Sequence, residues 1–170
     1  MRAIALIITG LIISVSVSAQ KFAYVDTDYI LKSIPTYESA QEQLKIMSND
    51  WQAEIEAQYA EIEKLYKEFQ AEKVLLTEDM KKQREEEIVQ KEKAVKELQK
   101  KYFGPEGELF RKRKELIEPI QNDIFNAVKE IASDGNYAVI FDAAGGMNFL
   151  YSDPKYDKSD MVLEKLGFKN

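Results

Sequence analysis

From Thr36 onward, apolar residues recur at intervals of three and four: Tyr37, Ala40, Leu44, Met47, Trp51, Ile55, Tyr59, Ile62, Leu65 or Tyr66, and Phe69. That spacing aligns them along one stripe of an α-helix, with charged residues on the remaining surface. No Gly or Pro falls between Thr36 and Lys101, so no residue type stops a helix there. Of the pairs spaced four apart, Glu63 and Lys67 attract while Glu68 and Glu72 repel, so surface pairing alone does not hold this helix. At about 1.5 Å per residue, residues 38–76 span roughly 55–60 Å. A compact chain of this length has a radius of gyration near ~15 Å. The helix is expected to project from whatever body the rest of the chain forms.

Val74-Leu75-Leu76-Thr77-Glu78-Asp79 is the expected reversal. Thr77 suits an N-cap, and Glu78 and Asp79 suit the positive end of a new helix. The competing reading is one unbroken helix through residue 101. Met80, Ile88, Ala94, Val95, Leu98 and Tyr102 give the returning helix a thin stripe, enough to pack antiparallel against the first. Gly104-Pro105-Glu106-Gly107 breaks the pattern, and Gly104 as N-cap with Pro105 at the first helical position would restart a helix at once. Leu109, Leu116, Ile120, Ile124, Val128 and Ile131 form a strong stripe. Pro119 removes one donor within it, and Ser133-Asp134-Gly135-Asn136 ends it.

Strands flank this helical stretch. Phe22–Val25 is a short β-type run stopped by Asp26-Thr27-Asp28, and Tyr29–Ile34 reads as one or two helical turns before Pro35. Tyr137–Phe141 is a strand, Asp142–Gly146 a turn, and Met147–Tyr151 a second strand, so the last two are expected to pair as a hairpin. Ser159–Leu166 reads as a closing helix capped by Ser159 and stopped by Gly167. For strands at both ends of the chain to share a sheet, the helices between them must go out and return. The fold class expected is α+β: a small β body from residues 20–35 and 104–170, and an antiparallel α-helical coiled-coil arm from residues 36–103. So few strands bury too little apolar surface to stand alone. Several subunits are expected to close one barrel or sheet through Phe22, Tyr24, Val139, Phe141, Phe149 and Tyr151.

The first nineteen residues, MRAIALIITGLIISVSVSA, carry Arg2, a ten-residue apolar run and small residues at Val17 and Ala19. They read as an export signal cleaved after Ala19, with an N-terminal membrane anchor as the competing reading. The 170-residue chain has no Cys and no His. Thiolate nucleophiles, disulfides, Cys-ligated zinc, His bases and imidazole metal ligands are therefore excluded. No catalytic constellation, cofactor loop or metal set emerges. Asp26-Thr27-Asp28 reads as a capping turn, and Ala144-Gly145-Gly146, without phosphate-loop spacing, as a hairpin turn. The net charge of −6 and pI near 4.9 argue against nucleic acid as a partner. Arg111-Lys112-Arg113-Lys114 is the one dense basic cluster, a solvated face or a weak contact for anionic membrane or lipopolysaccharide. Trp51, Tyr59, Tyr66, Phe69, Met80, Ile88 and Tyr102 all fall in the arm. A two-helix seam is too narrow to cover every large side chain, so those left outside are candidates for binding unstructured polypeptide.

Taken in order, these elements resemble the Skp/OmpH family of periplasmic chaperones. The resemblance rests on the export signal, Lys21-Phe22-Ala23-Tyr24-Val25-Asp26, Tyr29-Ile30-Leu31, the charged helical middle, Leu116-Ile117-Glu118-Pro119-Ile120, and Tyr137–Asp142. It implies a homotrimer with a β body and three helical arms that hold unfolded outer-membrane proteins without ATP. A coiled-coil adaptor that binds one folded envelope partner is the alternative. One departure stands out: well-known members are basic, whereas Thr36–Phe103 carries 12 Lys and Arg against 16 Asp and Glu. Apolar contact would have to dominate client binding here.

Overall fold

A computed structural model describes residues 20–146 and 150–168. The proposed export signal, Phe149 and most of the strand expected at Met147–Tyr151 lie outside those residues.

β1 (Lys21–Val25) runs into α1 (Thr27–Lys32), then α2 (Pro35–Glu72), α3 (Glu78–Phe103), α4 (Glu108–Gly135) and β2 (Tyr137–Asp142). A 3-10 turn at Pro154–Tyr156 and α5 (Ser159–Lys165) complete the chain. Pro35 opens α2 at its first turn, where its missing N–H costs nothing. The 38 residues of α2 reach about 57 Å. After Glu72 the chain turns, and the Thr77 hydroxyl accepts the Met80 N–H at 3.3 Å to cap α3. The single unbroken helix is thereby excluded.

α2 and α3 are antiparallel. Glu54 meets Tyr102, Glu61 meets Lys91 and Glu72 meets Arg84, so partners approach each other in sequence toward the turn. Between the helices lie Ile55, Ile62 and Phe69 of α2 and Ile88 and Val95 of α3, each row stepping by seven residues. Past the 104–107 turn, α4 continues the return leg along α2. Ile117 packs there on Ala40 and Leu44. Farther on, Ile124, Ala127 and Ile131 of α4 close the body core with Val25, Ile30, Ile34, Val162 and Leu163. Pro119 sits inside α4. Asn136, left-handed at φ 51° and ψ 44°, ends the helix and turns the chain into β2.

Three local expectations are corrected. First, Gly104 ends α3 and Gly107 begins α4. The Gly104 N–H still bonds Lys100 O at 2.9 Å, so it belongs to the preceding helix, and Pro105 lies in the turn. Both glycines are required by crowding, because a Cβ at Gly104 would collide with Lys100 O and one at Gly107 would lie 2.8 Å from Lys101 O and Tyr102 O. Second, Ser159 is the first residue of α5 rather than its cap. Its buried hydroxyl accepts the Asp26 N–H at 2.8 Å and donates to Asp157 Oδ1 at 2.6 Å, and the same Asp157 oxygen accepts the Ser159 N–H.

Third, the sheet shared by strands from both ends of the chain is the parallel pair β1 and β2, with Phe22 opposite Val139, Ala23 opposite Ile140 and Tyr24 opposite Phe141, and the described end of the expected hairpin strand takes no part in it. A parallel pair needs a long crossover, and the whole helical excursion supplies it. Leu150 and Tyr151, placed by the sequence at the end of a hairpin strand, belong to no strand and are exposed. The chain instead reaches the far edge of β1, where Asp157 bridges Tyr24 and the Lys158 N–H bonds Tyr24 O at 2.9 Å.

Candidate interaction surfaces

Alternation along β1 sends Ala23 and Val25 into the core and Phe22 and Tyr24 outward. The parallel register puts Val139 and Phe141 on the same outer face, and Phe22 stacks on Phe141 with centroids 6.4 Å apart. This sheet is therefore apolar on both sides while only one side is covered. Tyr151 and Tyr156 border the outer face, and with Phe22, Tyr24 and Phe141 they line an open depression of about 690 Å³. Phe22 and Val139 are exposed. Among the described residues, β2 has β1 as its sole strand neighbour, and no described strand pairs with its other edge. Five of the six residues read as oligomerisation contacts thus lie on or beside one surface, and Phe149 lies outside the described residues.

The arm divides the seven client-contact candidates. Phe69 and Ile88, 4% and 8% exposed, are buried between α2 and α3 and hold the hairpin together. The seven-residue row absorbs them, so they offer nothing to a client in this arrangement. Trp51 and Tyr102 are half-buried and stack face to face at 4.8 Å and 6°, with Phe103 edge-on to both. The Tyr102 hydroxyl donates to Glu54 Oε2 at 2.8 Å, which raises the phenol pKa above its ordinary value, with desolvation adding to it. This cluster locks the arm near its base. Tyr59, Tyr66 and Met80 are exposed.

Sequence reading assigned Val74 and Leu75 only to a turn, yet they are 88% and 83% exposed at the arm's tip. A turn built without Gly or Pro was the available signal: apolar residues at a reversal have no helix to pack against. The basic cluster is largely neutralised in place, since Arg111 pairs with Glu108, Lys112 with Glu115 and Lys114 with Glu118. Those pairs run along one helix and leave little net field for an anionic surface.

The family described as outer membrane protein (OmpH-like) matches residues 21–166. No curated protein matches the chain. Among solved structures, a candidate outer membrane chaperone (OmpH-like) from Caulobacter crescentus CB15 superposes with a TM-score of 0.69 at 14% identity, covering 88% of this chain and 85% of that one. At that identity the likeness is one of fold.

Proposed function

Since the chain belongs to the OmpH-like outer membrane protein family, we propose that it is an ATP-independent holdase of the periplasm, exported by a signal cleaved after Ala19. Three copies join through their sheets, and the three arms enclose a space that shelters unfolded outer-membrane proteins from aggregation. The observation that carries this reading is the contrast within one chain. The arm closes its own core, while among the described residues the sheet presents an uncovered face of Phe22, Tyr24, Val139 and Phe141 beside a strand edge with no strand neighbour. A heterologous contact between such sheets forms a ring when its rotation closes at three copies. The ring would point its arms in one direction and hold a chain among them by contact without fixed register.

The test is suppression of aggregation of a urea-denatured outer-membrane barrel protein on dilution. The holdase keeps the client soluble at one client per three chains with no nucleotide. Aggregation unchanged at any molar excess refutes it.

The exposed pair Val74 and Leu75 favours a second reading, because it is one compact patch rather than a scattered surface. In this adaptor reading the arm tips grip one folded envelope partner. Val74→Asp with Leu75→Asp would then abolish a single strong pull-down partner, whereas a holdase would bind many unfolded chains with or without the change.

A further inference from the structure

The two broad faces of the arm differ. Glu54, Glu61 and Glu72 of α2 make the cross-helix ties to Tyr102, Lys91 and Arg84 of α3. Relative to the buried row Ile55, Ile62, Phe69, the first two lie one position earlier, about 100° to one side. Glu72, three positions after Phe69, falls about 60° off the seam on that same side. Tyr59 and Tyr66 lie three positions before Ile62 and Phe69, on the opposite flank. On α3, Arg84 and Lys91 lie four before and three after the buried Ile88, on the tied flank. Glu85, Val89 and Glu92, at three before and one and four after, lie on the other. The ties themselves establish which flanks adjoin. One face is thus stitched across the seam by polar groups. The other presents exposed Tyr59, Tyr66 and Val89 together with Glu85 and Glu92.

Among the described residues neither Glu85 nor Glu92 has an ion-pair partner, whereas Glu63 and Glu78, toward the edge of this face, are paired with Lys67 and Lys81. On α3 the cations next to them on this flank are Lys82, three positions before Glu85, and Lys96, one turn beyond Glu92. Exposed phenol rings beside unpaired carboxylates suit one kind of ligand: an extended chain that places apolar or aromatic groups next to Lys or Arg. The rings provide stacking and cation–π contact, and the carboxylates provide the counter-charge.

We propose that the Tyr59–Tyr66–Val89 face is the client-facing surface of the arm, and that Glu85 and Glu92 make it select unfolded segments rich in basic and aromatic residues. This rests on the holdase reading and names the surface and the class of segment it takes.

The probe is a labelled peptide of alternating Phe and Lys separated by Ser, against a counterpart with Glu in place of Lys, titrated into the full chain and followed by anisotropy. The Lys peptide binds at least about fivefold more tightly at low salt, a preference that shrinks as salt rises. In Glu85→Gln/Glu92→Gln the preference falls toward that of a neutral surface. In Glu61→Gln/Glu72→Gln, which removes the same charge from the stitched face, it persists. Tyr59→Ala/Tyr66→Ala weakens both peptides by about tenfold. Equal losses from the two Glu pairs, or none from the tyrosine pair, overturn the assignment. Where the wild type still keeps a denatured barrel protein soluble, such a result removes this inference and leaves the holdase reading intact. Where it binds neither peptide nor denatured protein, both fall.

Discussion

The arm and the body solve the same problem in opposite ways. The arm has two long charged helices and a seam of five buried side chains, Ile55, Ile62, Phe69, Ile88 and Val95, and that seam is complete within one chain. The body has a larger core around Ile30, Ile34, Val162 and Leu163, yet among the described residues its sheet has two strands and an uncovered apolar face. A helix satisfies its backbone internally and needs only one stripe covered, so a hairpin of helices can end in solvent. A strand leaves hydrogen-bonding groups at its edge and side chains on two faces, so a two-stranded sheet leaves an edge and a face for other chain to cover. In this account the arm is the autonomous part and the body is the part that calls for other copies.

The sharpest way to break that contrast is Phe22→Asp. Phe22 is exposed in the single chain, so the change leaves the subunit folded. In an assembled body it buries an unpaired carboxylate, at a cost of about 3–5 kcal/mol per contact. Sedimentation velocity should show loss of the oligomer with helical circular dichroism retained, and an unchanged sedimentation coefficient would mean the face is not an interface. Phe69→Ala acts on the other side of the comparison. It empties part of a thin seam and should cost about 3 kcal/mol locally. Amide exchange should accelerate across Pro35–Phe103 while amides around Ile124–Ile131 stay protected. Acceleration spread evenly through both regions would deny the arm its autonomy.

Smaller still is Thr77→Ala, which removes the acceptor for the Met80 N–H and should cost about 1 kcal/mol of helix start. Faster exchange confined to the first turn of α3 is the expected reading. The smallest effect is on pH. Tyr102 is held as a neutral phenol by its bond to Glu54, so its pKa lies above the ordinary value. Its contribution is complete below that ordinary value, near ~10, and is lost as pH rises through the higher folded value. Trp51, the only tryptophan, stacks on Tyr102 and reports the change by its fluorescence. Glu54→Gln should move the transition to lower pH, and an unmoved transition would remove the Glu54 bond as its cause.

How much the sequence discloses follows the same division. The helices were legible because their information is local: a three-and-four stripe, Thr77 as a cap, Ser133–Asn136 as a stop. A sheet shared by strands from both chain ends is legible too, from the helical excursion between them; the parallel register of β1 with β2 is not, since it joins residues more than a hundred positions apart and leaves no periodic trace. Of the hairpin strand expected at Met147–Tyr151, Leu150 and Tyr151 lie among the described residues and belong to no strand, and farther along Asp157 and Lys158 attach to the far edge of β1. Gly104 and Gly107 mark a break in the sequence, but that Gly104 closes the preceding helix rather than capping the next is not legible there, because the deciding features are its bond to Lys100 O and the crowding of the Lys100, Lys101 and Tyr102 carbonyls. That crowding also means alanines at these positions would distort the joint. In the arm, periodicity marked Phe69 and Ile88 as apolar but not whether the partner helix would cover them. Position relative to the seam decided it, and the same geometry separates Tyr59 and Tyr66 from the stitched face.

The measurement closest to the central claim is solution mass by light scattering joined to small-angle X-ray scattering on the wild-type protein. An open body bearing closed arms predicts about three times the chain mass and a maximum dimension well beyond that of a sphere of that mass. A compact monomer at micromolar concentration would contradict it.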